Sequence, residues 1–115
     1  GHMGTSHARA YHRMPADFQI VGLVSRGAAS RRRLNAEFGG VYPEFDDYEA
    51  ALAAVKPDAV CISTYPDTHA RYALAALEAG AHVFLEKPVA ETVAECRTVI
   101  DTALRLKRKL VVGYI

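Results

Sequence analysis

The sequence predicts an α/β fold, a doubly wound and mainly parallel sheet, from two observations. Short oily runs lack polar alternation, and a helical pattern separates nearly every neighbouring pair of them. Strands that are apolar on both faces are those covered by helices on both sides, as in a parallel sheet. Strict alternation of strand and helix through short connections gives right-handed crossovers. Size agrees with this, since 115 residues, 50% of them hydrophobic, suit one domain with one core.

Each element has its own warrant. Phe18 to Ser25, "FQIVGLVS", and Asp58 to Ser63, "DAVCIS", are short and rich in β-branched residues. His82 to Glu86, "HVFLE", and Leu110 to Ile115, "LVVGYI", read the same way. Within them Phe18–Val24, Ala59–Ser63, His82–Leu85 and Leu110–Gly113 are expected as parallel strands of one sheet, with a short strand near Val41 and, between the first two, a vacancy of two strand spacings, roughly 9 to 10 Å, where an absent strand would lie. The covering helices lie between. "SRRRLNAEFGG" starts at Ser30, a residue able to cap, and stops at Gly39, while "DDYEAALAAVKP" runs from its aspartates to Pro57. "DTHARYALAALEAG" puts Ala70, Ala73, Leu74 and Leu77 on one face. A last helix repeats Val93, Cys96, Val99, Ile100, Ala103 and Leu104 at helical spacing.

Bulk properties exclude several classes of function. With 14 basic and 13 acidic residues the charge is nearly balanced, so nucleic acid and anionic membranes are not expected partners. No apolar run reaches the roughly 20 residues of a membrane span and no leader pattern stands at the start, so the chain reads as cytoplasmic. Cys61 and Cys96 are far apart and lack metal-ligand spacing; they read as reduced core residues, and no metal site is expected.

In a doubly wound sheet ligands bind beyond the carboxyl ends of the strands. Three such ends carry unusual residues: "SRG" after Val24, "STYPDTH" after Ile62 and "EKP" after Leu85. The start supplies a fourth piece. In "GHMGTSHARAYHR", Gly1 and Gly4 fit the last two glycines of Gly-x-Gly-x-x-Gly at a helix N-terminus, where backbone approaches a pyrophosphate. "GHM" is also a common remnant of expression vectors, in which case Gly4 would stand for the third glycine. Taken alone, "EKP" is equally an ordinary strand-ending turn.

In combination these motifs resemble the glucose-fructose oxidoreductase and inositol dehydrogenase (Gfo/Idh/MocA) family over essentially the whole chain. The resemblance is strongest where a Thr-x-Pro-x-x-His loop, an alanine-rich helix, Ala-Gly-x-His-Val and Glu-Lys-Pro follow one another without gaps. It implies a Rossmann-type NAD(P)-binding domain over residues 1–115, and an oxidoreductase passing hydride between nicotinamide and a sugar, cyclitol or related polyol. By this resemblance Lys87 contacts the reacting hydroxyl or carbonyl oxygen, Glu86 supports it, and Pro88 fixes backbone on the nicotinamide side. Thr64, Tyr65, Pro66 and His69 match the loop along the cofactor, Gly1, His2, Met3 and Gly4 the phosphate-binding turn, and His7 a structural histidine on the first helix. The implied partners are a small sugar or polyol substrate and further copies of the full-length protein, a homo-oligomer.

The departures carry information too. NAD-preferring members often have an acid after the second strand, where this chain has Ser25 and Arg26. A hydroxyl beside a guanidinium suits a 2′-phosphate, which tilts the expected cofactor from NAD toward NADP. Alternatively Arg26 belongs with Arg31, Arg32 and Arg33 to an exposed basic surface. Tyr65 either stacks on the cofactor or lines the crevice. The family's first strand and its second α+β domain, the source of a histidine partner for the lysine, have no counterpart in these residues, so the sequence reads as a domain truncated at both ends. A non-catalytic nucleotide-binding or regulatory module and an interaction fragment are the rival readings.

Overall fold

The structure, a computed structural model, describes residues 1–113. Along the chain run α1 (His2–His12), β1 (Leu23–Val24), α2 (Ala28–Glu37), β2 (Glu44–Phe45) and α3 (Tyr48–Val55). There follow β3 (Ala59–Ile62), α4 (Pro66–Glu78), β4 (His82–Glu86), α5 (Val93–Leu106) and β5 (Leu110–Gly113). The expected continuation of the last strand into Tyr114 and Ile115 lies outside the described residues.

Among the described residues all strand pairing is parallel, as the oily runs imply. It forms two ladders, β1 with β2 and β3-β4-β5 in that order, and β1 does not pair with β3, as expected where a strand between them is absent. Ladder bonds need strands about 4.8 Å apart, and no described strand pairs with both β1 and β3. The chain divides into two compact units, His2–Lys56 and the segment from Pro57 on.

In the segment from Pro57, Ile62, Leu85 and Val112 stand in register, as do Cys61, Phe84 and Val111 beside them. Side chains alternate across a strand, so the two rows belong to opposite faces. Ile62 and Leu85 are buried whereas Val111 is 53% exposed, so one face is sealed and the other is half open. Topology explains the sealed face. The order β3-β4-β5 advances in one direction, and successive right-handed crossovers then place both helices on the same face. Ala73, Ala76 and Leu77 of α4 and Val99 and Ala103 of α5 accordingly share one core with Ile62, Val83 and Leu85.

The same geometry corrects the reading of α5. Val99, Thr102 and Ala103 are buried, but Val93, Ile100 and Leu104 of the predicted stripe are exposed. At 100° per residue those three lie within about 40° of one another and about 120° from Val99, so they share a face turned away from the sheet. Cys61 and Cys96 are half-buried rather than core residues.

Helix ends follow local chemistry. The Asp47 side chain accepts from the Ala50 N–H and that of Thr92 from the Glu95 N–H, each capping its helix. Pro66 opens α4 at a position where its missing N–H is no loss. Ser30, however, does not cap α2: the helix starts at Ala28 after Gly27, and the Ser30 hydroxyl donates back to Gly27 O at 3.0 Å. In the first unit β1 is shorter than expected, because only Leu23 and Val24 find ladder partners. Phe18 instead packs edge-on against Tyr11 of α1, ring centroids 4.8 Å apart.

Candidate functional site

The Glu-Lys-Pro stretch sits where β4 ends. Glu86 is the last strand residue, paired in register with Gly113, and is buried. A Cβ added to Gly113 would meet the Glu86 Oε1 at 3.1 Å, so only glycine leaves room for this carboxylate as it lies. Lys87 and Pro88 follow, both exposed, joined by a cis peptide bond. A lysine thus leaves the sheet with its backbone fixed behind it and its ammonium in the open.

The neighbouring β3 end is equally ordered. The Thr64 hydroxyl lies 2.6 Å from that of Thr68, which donates in turn to Tyr65 O at 2.8 Å, so the proton of Thr64 points to Thr68. Thr64, Tyr65 and Pro66 are exposed, Tyr65 by 77%. His69, one turn into α4, is different. It is 1% exposed, with Nδ1 2.6 Å from Pro88 O and Nε2 3.0 Å from Thr64 O. In this segment the structure therefore brings together Thr64, His69 and Pro88, flanked by Tyr65, Pro66 and Lys87.

The β1 end is a separate cluster. Ser25 is held on three sides: its N–H donates to Phe45 O, its hydroxyl accepts from the Gly27 N–H, and its carbonyl accepts from Arg31. Arg26 at the tip is exposed, and among the described residues it makes no ion pair. Arg31 does not belong to an exposed basic surface. Its side chain is 10% exposed and its Nε donates to Glu44 at 3.1 Å. At the start of the chain α1 begins at His2, which leaves Gly1 ahead of the first turn and Met3 and Gly4 within it. His7 is half-buried on the same helix.

The residues that brace the Ser25 turn escape a reading of motifs. Asn35 is buried and donates from one amide nitrogen to both Tyr42 O and Glu44. Its place four residues after Arg31, on the same helix face, is the one signal in the sequence. Asn35 above all, with Arg31 adding to it, holds the Glu44 carboxyl below its ordinary range, and desolvation opposes them. A carboxyl lowered on folding stabilises the fold above its unfolded pKa, and that contribution disappears as pH falls through the folded value. Urea unfolding of wild type is therefore expected to show a loss of stability between about pH 7 and about pH 3 that Glu44→Gln reduces. An identical loss in both proteins would show that Glu44 carries none of it.

Among the described residues no group of His, Cys, Asp and Glu could hold a metal, and no helix is long and apolar enough to cross a membrane. Residues 1–114 match the profile of the oxidoreductase family with an NAD-binding Rossmann fold. The chain is 33% identical to an inositol 2-dehydrogenase of Klebsiella pneumoniae, over 100% of this chain and 34% of that protein. It is 33% identical to a D-glucoside 3-dehydrogenase of Escherichia coli, over 91% of this chain and 30% of the relative. A solved UDP-N-acetylglucosamine 3-dehydrogenase from Acidithiobacillus ferrooxidans superimposes with a TM-score of 0.84 at 33% identity, over 98% of this chain and 35% of its own. The chain spans about a third of the length of the relatives it matches. With that match over nearly its whole length, and with parallel strands ending in the Thr-x-Pro-x-x-His and Glu-Lys-Pro motifs, the chain belongs to the Gfo/Idh/MocA oxidoreductase family, as part of its NAD-binding Rossmann fold.

Proposed function

We infer that the protein is an NAD(P)-dependent oxidoreductase acting on the CH–OH group of a sugar, cyclitol or related polyol, with this chain as its nucleotide-binding part. The observation that carries this reading is the exposed Lys87, delivered at the carboxyl end of a parallel strand between a buried Glu86 and a tethered Pro88. The residues present fit a dinucleotide. In each unit exposed polar groups stand just past a strand's carboxyl end, Ser25 and Arg26 in the first and Thr64, Tyr65 and Lys87 in the second, where the fold class binds its ligands.

When bound, the nicotinamide accepts or supplies the hydride. The protein's task is the substrate oxygen, which gains negative charge as its proton leaves. Lys87 stabilises that charge with its ammonium, and Glu86 orients the lysine. Thr64, Tyr65 and Pro66 line the cofactor, while Pro88 sets the backbone beside it. Gly1, His2, Met3 and Gly4 form the turn that meets the pyrophosphate. Ser25 and Arg26 meet the adenine-side ribose and favour NADP over NAD.

The test is a titration of the full-length protein with NADPH and NADH, read by nicotinamide fluorescence, beside assays of nucleotide-dependent oxidation of inositols and glucosides. Saturable binding together with turnover is expected. Binding without turnover of any polyol or sugar would make the protein a non-catalytic nucleotide-binding module, and absence of binding would remove the reading altogether.

A further inference from the structure

His69 matches a cofactor-lining position, yet its ring is buried and faces only protein carbonyls. A carbonyl oxygen accepts and never donates. Either tautomer of the ring therefore ties it to one turn, and a doubly protonated ring ties it to both. The shorter contact, 2.6 Å to Pro88 O, marks Nδ1 as the principal donor. No ring nitrogen is left to face a ligand.

The place of those carbonyls gives the contact its meaning. Ile62 and Leu85 are the last paired residues of β3 and β4, and Glu86 is the last of β4 paired with β5. Thr64 and Pro88 both lie past those ends, where the ladder supplies no further bonds. Lys87 falls between two anchors: Glu86, held in the ladder opposite Gly113, and Pro88, held by the His69 ring. Remove the second anchor and the lysine is fixed from one side only.

We propose that His69 is a positioning residue for the reaction: by donating from Nδ1 to Pro88 O it fixes the backbone from which Lys87 reaches the substrate oxygen. The proposal rests on the reading of Lys87 given above. It assigns His69 no contact with cofactor or substrate.

Two amides separate the contacts, because the side-chain nitrogen of asparagine can occupy the place of Nδ1 and that of glutamine the place of Nε2. In the full-length protein, His69→Asn keeps the donor to Pro88 O and is expected to retain kcat within about fivefold, whereas His69→Gln loses roughly 10- to 100-fold, the scale of a small misplacement of a reacting group. KM for the nucleotide should stay within about threefold in both, as for a residue that acts only on the reacting geometry. Equal kcat in the two variants, a reversed order, or a matching rise in nucleotide KM would overturn the proposal. Hydrogen–deuterium exchange of the same proteins decides the tether without any activity. Faster exchange at the Val89 and Ala90 amides in His69→Gln than in His69→Asn, with the β3-β4-β5 ladder unchanged, is expected; faster exchange through the whole segment would make His69 an ordinary core residue. A wild-type protein with no dehydrogenase activity would sink the reading of Lys87 and leave the exchange result to stand on its own.

Discussion

Replacing Lys87 with methionine is expected to lower turnover of the full-length protein by roughly 10²- to 10⁴-fold, the range typical of removing a positioned proton-transfer or charge-stabilising group. Methionine keeps much of the length and the apolar stem, so the loss isolates the ammonium. Lys87 is exposed while its neighbour Glu86 is buried, and the substitution therefore leaves the core intact. Core residues Leu85 and Val83 stand before it in β4, and none of their contacts depends on its charge. Melting temperature and the Kd for nucleotide are expected to change little. Steady-state turnover beside nucleotide titration of the same variant checks this. Near-normal turnover would take Lys87 out of the chemistry, and an equal loss of turnover and nucleotide binding would make it a scaffold residue.

Much of the fold is legible because the signals are local. β4 occupies His82–Glu86 as the oily run predicts, and the helices stop at positive-φ positions such as Lys56, Lys107 and Gly80. What is not legible depends on pairing. The run Phe18–Gly22 is as apolar as its neighbours, but a strand exists only where a partner supplies ladder bonds, and here that is Leu23 and Val24 alone. Likewise, the composition of α5 cannot say which apolar residues meet the sheet. Val99 does and Leu104 does not, since a helix presents only part of its circumference to a flat surface.

The site divides in the same way. Glu-Lys-Pro and Thr-x-Pro-x-x-His are contiguous motifs at strand ends, so a linear reading finds them. The role of His69 is not contiguous: its ring joins Thr64, five positions back, to Pro88, nineteen ahead. Arg31 is similar, because in the sequence it is one of three successive arginines. Only the turn of α2 toward β2 separates it from the others, pairing it with Glu44 and the Ser25 carbonyl. That pairing sharpens the role of Arg26, which is left as the exposed cation of the same turn.

From this follows the second large effect. Arg26→Asp is expected to reverse the preference of the full-length protein from NADP to NAD. A charge-assisted hydrogen bond to a phosphate contributes about 1.5 to 3 kcal/mol, and at 1.4 kcal/mol per decade its loss shifts relative affinity roughly 10- to 150-fold. The introduced carboxylate adds repulsion against a 2′-phosphate and offers an acceptor to a 2′-hydroxyl, so the two changes act in the same direction. The turn itself should persist, because its braces are the Ser25 backbone and hydroxyl with Phe45, Gly27 and Arg31, none of which uses the Arg26 side chain. Paired titrations with NADPH and NADH on wild type and variant measure the shift directly. If both cofactors weaken equally, Arg26 serves the fold and not the choice of cofactor; if neither changes, the 2′-position of the ribose is read elsewhere.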